Sequence, residues 1–167
     1  MIIKGSGASG GVMKISSFYK SMLLKVDKDF VPSVIEGGDE YYPNGIFIFN
    51  ITKMLGFIND NKGRIKIKDI SVKEYRKAYF ILNEDHIDKV DLKNPVILAE
   101  ISPGRHNIID GHHRVEKAYR SGIDTIPAYI LTPYQHMPFL TDTEAYHSYV
   151  DYWNGKVKEM QEDLNIS

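Results

Sequence analysis

Residues 108–122 read IIDGHHRVEKAYRSG, and they place an acid, a glycine, two histidines and an arginine side by side. The strand-like Ile108–Ile109 ends at Asp110, and a helical pattern starts at once after Gly111. A glycine at such a turn lets a ligand approach the backbone closely. The helix that follows opens with N–H groups that have no acceptor within it and with a partial positive charge, which together favour an anion. Arg114 adds a fork of donors matched to phosphate oxygens. His112 and His113 add donors whose charge can change near neutral pH. Asp110 can hold a divalent cation, orient a histidine or cap the helix. The chemistry these types allow is the binding of a phosphate group, a nucleotide's, with help from Mg²⁺. The plainer alternative is that Asp110 caps, Gly111 turns and the other three are solvated. Zinc fits poorly, because adjacent helical residues point about 100° apart and no third ligand stands at a familiar spacing.

The flanking elements must hold that segment in place. NPVILAEI at 94–101 is a buried-looking strand, SPGR at 102–105 suits a type II turn, and HNIID returns at 106–110, so 95–110 is a predicted β-hairpin. A helix is expected over 112–121, with Val115, Ala118 and Tyr119 on its inner face, a Glu116–Arg120 pair on the outer one and Gly122 just beyond its end. TIPAYIL at 125–131 reads as a strand near an edge, or with Pro127 at its start.

Upstream, GGDEYYPNG at 37–45 has loop composition, and IFIFN at 46–50 is a short apolar strand. Asn50 is placed to cap a helix whose face carries Ile51, Met54, Leu55 and Ile58. RIKIKDI at 64–70 alternates as a half-buried strand does. Ser71 and Glu74 form a capping box for a helix over 72–80, and a short helix is expected at 84–90. A helix capped by Ser16 or Ser17 fits ISSFYKSMLLKV. From 132 the chain is rich in tyrosine and carries its single tryptophan, and Thr141 or Asp142 can cap a helix over 143–161. Tyr134, Tyr146, Tyr149, Tyr152 and Trp153 are expected to pack on the core or on a partner rather than stack on bases.

The bulk numbers set the frame. The 167 residues suit one domain over 13–167, with an N-terminal elaboration and a helical tail over 132–167. Residues 1–12, with GSGASGG inside them, read as a linker or expression scar; the Gly-Lys-Ser/Thr ending of a P-loop is missing. Hydrophobic and charged fractions of 43% and 26% are those of a globular protein. The net charge of −1 gives no global signal for nucleic acid. The lack of cysteine rules out thiolate chemistry and fits a cytoplasmic protein. No apolar run approaches the roughly 18 residues of a membrane span.

Residues 94–131 resemble the ParB/sulfiredoxin-like superfamily, with a hairpin, a strand ending in a Gly-x-x-Arg box, a helix, then Gly and Ile-Pro before a strand. The likeness reaches back more weakly to IKIKDISVKEY. It implies an α+β fold of ParB/sulfiredoxin type, a small mixed β-sheet with packed helices. It also implies that Gly111, His112, His113 and Arg114 bind nucleotide phosphates, with ATP, ADP or CTP as the nucleotide and Mg²⁺ beside it at Asp110. Sulfiredoxin needs a cysteine in the box, where this chain has His112, so that activity is excluded. The second ParB motif, Glu-Asn-x-x-Arg, is missing too. The Asp-Gly-His-His-Arg box is most similar to that of the free serine kinases.

That branch uses an acid from an N-terminal segment to deprotonate an acceptor hydroxyl. Asp69, Glu74 and Glu100 are the candidates, with Asp110 as a further acid in the box. The resemblance thus implies a phosphotransferase or nucleotide hydrolase with a small hydroxyl acceptor. The main alternative is a nucleotide-gated module that binds DNA or a protein, motivated by Lys62, Arg64, Lys66, Lys68, Lys73, Arg76 and Lys77. A nuclease on the same scaffold would need a metal-held carboxylate cluster.

Overall fold

The computed structural model describes residues 2–4, 12–78 and 81–166. The glycine-rich part of the expected linker, 5–11, lies outside the described residues. Its flanks, β1 (Ile2–Lys4) and β2 (Val12–Lys14), pair antiparallel. Helix α1 (Ile15–Met22) follows directly, so Ser16 and Ser17 lie in its first turn and do not cap it.

The segment expected to be a loop at 37–45 contains a strand. β3 (Tyr41–Asn44) pairs antiparallel with β4 (Phe47–Asn50) around a two-residue turn. Gly45 opens that turn at φ 65°, a left-handed conformation that glycine adopts without strain. Asn50 then caps α2 (Ile51–Asp60), its side chain accepting from the Lys53 N–H at 3.1 Å. Ile51, Met54 and Ile58 are buried, as their spacing predicts.

β5 (Lys66–Ser71) is an edge strand, and Ser71 accepts the Glu74 N–H at 3.3 Å to start α3 (Val72–Tyr75). That helix ends after one turn instead of reaching residue 80. Arg76 turns extended and its guanidinium reaches Glu116, at 2.8 Å from Nε and 3.3 Å from Nη2. A second single turn, α4 (Glu84–Ile87), follows. Next come β6 (Val96–Ser102) and β7 (Arg105–Asp110), joined through Pro103 and Gly104 as the hairpin predicts. Helix α5 (His112–Arg120) leads to β8 (Thr125–Leu131). The chain ends in the short α6 (Pro133–His136) and the long α7 (Thr143–Ile166), whose start is capped by Asp142 through the Ala145 N–H at 2.7 Å.

The fold is α+β. Its main sheet is mixed, in the order β5-β8-β6-β7, with β6 and β8 parallel and the other pairs antiparallel. β8 is therefore central, not near an edge. Pro127 is tolerated there because the ladder with β6 begins one residue later, at Val96↔Ala128. On one face Val96, Leu98, Ile108, Ile126 and Ala128 meet Val115 and Ala118 of α5 and Val72 of α3. On the other, Ile97, Ala99, Ile109 and Leu131 meet α2, α7 and the β3–β4 hairpin. Tyr146, Tyr149 and Trp153 are buried in that second layer. Trp153 Nε1 donates to the Met22 carbonyl at 2.8 Å, and Asn154 bonds both the N–H and the carbonyl of Leu24, which fastens the N-terminal segment to α7.

Helix α5 buries Val115 and Ala118 as its pattern predicts, but not Tyr119. Tyr119 is 47% exposed and lies under the Arg76 guanidinium, 3.9 Å from the ring centroid. Glu116 is also buried, 7% exposed, and it joins Arg76 to Arg120. Among the described residues, no helix is long and apolar enough to cross a membrane.

Candidate functional site

The β6–β7 hairpin delivers Asp110 to the end of the sheet, and α5 starts two residues later. Gly111 makes this change of direction at φ 107°, beyond the comfortable range of any L side chain. It also has no room for one. A Cβ there would lie 2.5 Å from Val96 Cγ1 and 2.8 Å from Arg114 Nη2. The glycine thus serves the packing of Val96 and Arg114 as much as any ligand.

Arg114 is less available than its type suggested. Its side chain is 17% exposed, Nη2 donates to Asp110 Oδ2 at 2.7 Å, and the buried Nε has no hydrogen-bond partner among the described residues. The two histidines also differ from expectation. Burial foremost, helped by the nearby Lys77 charge, holds His112 down at about 4. His113 is lowered by burial, then by His86 and Arg114. Both rings are neutral at pH 7. His112 Nε2 and the Tyr42 hydroxyl share a hydrogen bond at 2.9 Å. His113 Nε2 accepts the Asn83 N–H at 3.3 Å, and its ring meets His86 edge to face.

Among the described residues no side chain caps the start of α5. The N–H groups of its first turn have no acceptor inside the helix. They open on a cleft of about 190 Å³ lined by Glu40, Tyr41, Tyr42, Ile51, Ile81, Leu82 and the run Ile109–His113. The β3–β4 hairpin forms one wall. It leans on β7, where Asn107 Nδ2 donates to Asn44 Oδ1 at 3.2 Å, and so carries Glu40 and Tyr42 to the α5 start. Neither residue is among the sequence-derived candidates. Gly45 opening a two-residue Gly-X turn before the apolar run is the signal that could have found them.

The cleft brings together Asp110, Gly111, His112 and His113, with Arg114 behind them. Asp69, Glu74 and Glu100 do not line it. Asp69 is on β5, three strands from β7 in the sheet order, or roughly 14 Å at about 4.8 Å per strand. Glu74 is exposed on α3. Glu100 pairs with His106 while Asp110 pairs with Ile97, three residues away along β6, and its Oε1 accepts the Gly104 N–H at the hairpin turn. Of the basic run, Arg76 is spent on Glu116. Among the described residues no three histidines, aspartates or glutamates are grouped to hold a metal ion. The Asp110 carboxylate is paired with Arg114, Nη2 to Oδ2 at 2.7 Å.

No family model matches the chain, and no curated protein does. Among solved structures it is similar to the C-terminally truncated chromosome-partitioning protein ParB from Caulobacter crescentus, complexed with CTP-γ-S. Identity is 15% and the TM-score 0.32, over 51% of this chain and 50% of that one. The chain thus spans about half the length of that protein. A likeness at this level assigns neither fold nor function.

Proposed function

We propose that the cleft at the start of α5 binds the phosphates of a nucleotide, and that the protein is a nucleotide-dependent phosphotransferase or hydrolase. The observation that carries this reading is the uncapped first turn of α5 opening on a cleft behind a glycine. With both histidines neutral, the attraction comes from the backbone N–H groups and the helix dipole. Arg114 assists indirectly: it neutralises Asp110, whose bare carboxylate would repel an anion at the same place. A Mg²⁺ ion accompanying the phosphates would be held by phosphate oxygens and water rather than by a carboxylate cage.

Besides Asp110, which is paired with Arg114, Glu40 is an acid lining the same cleft, and in this reading it takes the role expected of Asp69, Glu74 or Glu100. In this reading it accepts the proton of the attacking hydroxyl or water. That oxygen then bonds to the terminal phosphorus, and the bond to the leaving phosphate oxygen breaks. Catalysis comes from positioning and charge neutralisation. A DNA-binding reading has weaker support, since its basic run has lost Arg76 to the interior network.

Thermal unfolding with ATP, ADP, CTP and GTP, with and without Mg²⁺, tests the reading: a ligand that binds only the folded state raises the midpoint. At least one nucleotide is expected to do so; no rise with any of them rejects it. Glu40→Gln should keep that rise while turnover falls by about 100-fold or more, the usual worth of a general base. Unchanged turnover removes Glu40 from the mechanism.

A further inference from the structure

We infer that the ligand of this cleft carries a nucleobase beside its phosphates, and that Tyr41 and Ile81 hold the base by its face, with little regard to which base it is. This rests on the phosphate reading above and names what is attached to the phosphate. The cleft has two kinds of lining. Asp110 to His113 supply the polar part, and Tyr41, Ile81 and Leu82 an apolar part, with Ile51 and Ile109 also in the wall. Ile81 is 99% exposed and Tyr41 58%. A side chain as bare as Ile81 buries almost nothing in the protein itself, yet it borders the cleft that opens on the start of α5. A bare phosphate would leave both side chains in water. A flat ring laid on them removes that apolar surface from water, which is favourable in proportion to the area covered.

Size supports the same arrangement. At about 190 Å³ the cleft is smaller than the roughly 300–1,000 Å³ of pockets that enclose a whole ligand. Phosphates fit inside, and the nucleoside lies at the rim, where the exposed Tyr41 and Ile81 stand. The edge of the base meets few uncommitted groups. Asp110 is bonded to Arg114, His112 to Tyr42 and His113 to the Asn83 N–H. Contact through the ring face serves every base, because all have one.

Calorimetric titration of the full chain with ATP, CTP, GTP, UTP and inorganic triphosphate tests this. The four nucleotides should bind within about fivefold of one another, and triphosphate roughly tenfold or more weaker. Tyr41→Ala and Ile81→Ser, both at exposed positions, should each weaken the nucleotides by about 5-fold or more and leave triphosphate unchanged. If triphosphate binds as tightly as the nucleotides, or one base is preferred more than about tenfold, the inference fails and the phosphate reading stands. If neither triphosphate nor any nucleotide binds, both fail.

Discussion

Gly111→Ala is expected to destabilise the protein by about 2–5 kcal/mol, before any ligand is considered. Two separate terms add. Holding an L residue at φ 107° costs about 1–2 kcal/mol. Forcing a methyl group to 2.5 Å from Val96, which is fully buried, adds about 1–3 kcal/mol of overpacking. For a chain of this size that corresponds to a fall in melting temperature of roughly 5–15 °C. Gly38→Ala is the matched comparison: φ there is 89°, but among the described residues nothing lies within 4 Å of the added carbon. It should show the backbone term alone. Equal losses in the two variants would mean that Val96 and Arg114 move aside freely, and that the glycine of the box answers only to backbone conformation.

A second large effect is loss of stability in mild acid. His136 is fully buried, bonded through Nε2 to the Glu100 carbonyl at 2.9 Å and next to the Tyr149 hydroxyl, and burial holds it at about 4. Above pH 6.5 the ring is neutral in both the folded and the unfolded chain, and stability is complete. As the pH falls from 6.5 towards 4, the unfolded chain takes up a proton that the folded one refuses, so stability drops. The gap from 6.5 to about 4 corresponds to about 3 kcal/mol for this residue. His112 acts in the same direction and the same window, by less because part of its ring meets solvent. Glu116 belongs to a lower window. The hydrogen bond from Arg76 holds its carboxyl below the usual value of 4.5, so its contribution is present above that value and is lost as pH falls through the folded one. Urea midpoints at pH 7 and 4.5 should differ clearly in the parent chain and much less in His136→Leu. The same difference in both would show that His136 is not the group responsible.

Much of the architecture is legible from local chemistry. The hairpin at 95–110, the helix after Gly111 and the Asn50 and Ser71 caps follow from residue types at fixed spacings, and the structure has them. Three features are not legible in this way, and each depends on a partner far along the chain. The helix after Ser71 stops at Tyr75 because Arg76 finds Glu116, forty residues away. Tyr119 faces outward for the same reason: its position in the helical period suits the core, but the Arg76 guanidinium covers it from outside. β8 is central in spite of Pro127, a matter of where the ladder with β6 begins.

The site divides along the same line. Gly111, His112 and His113 are contiguous, and their arrangement at a strand-to-helix turn is a local property. Arg114 and Asp110 are read correctly as charged neighbours, yet their commitment to each other at i,i+4 takes Arg114 away from the open cleft. The histidines look titratable near neutrality, and burial, with Lys77 beside His112 and with His86 and Arg114 beside His113, removes that. Glu40 and Tyr42 sit in a segment dense in glycine, proline and asparagine, which hides a hairpin whose placement against β7 is a tertiary fact.

The central claim is that the first turn of α5 is an anion site, and His113→Asp tests it most directly. A carboxylate in that turn complements the helix dipole, so the folded protein should keep its melting temperature or gain a little, about 0.3–1 kcal/mol. The same carboxylate places a negative charge where the phosphates would sit. The account predicts that the nucleotide which raises the melting temperature of the parent chain does not raise that of His113→Asp. An undiminished nucleotide shift in a well-folded His113→Asp protein would contradict it, and would move the ligand elsewhere on the molecule.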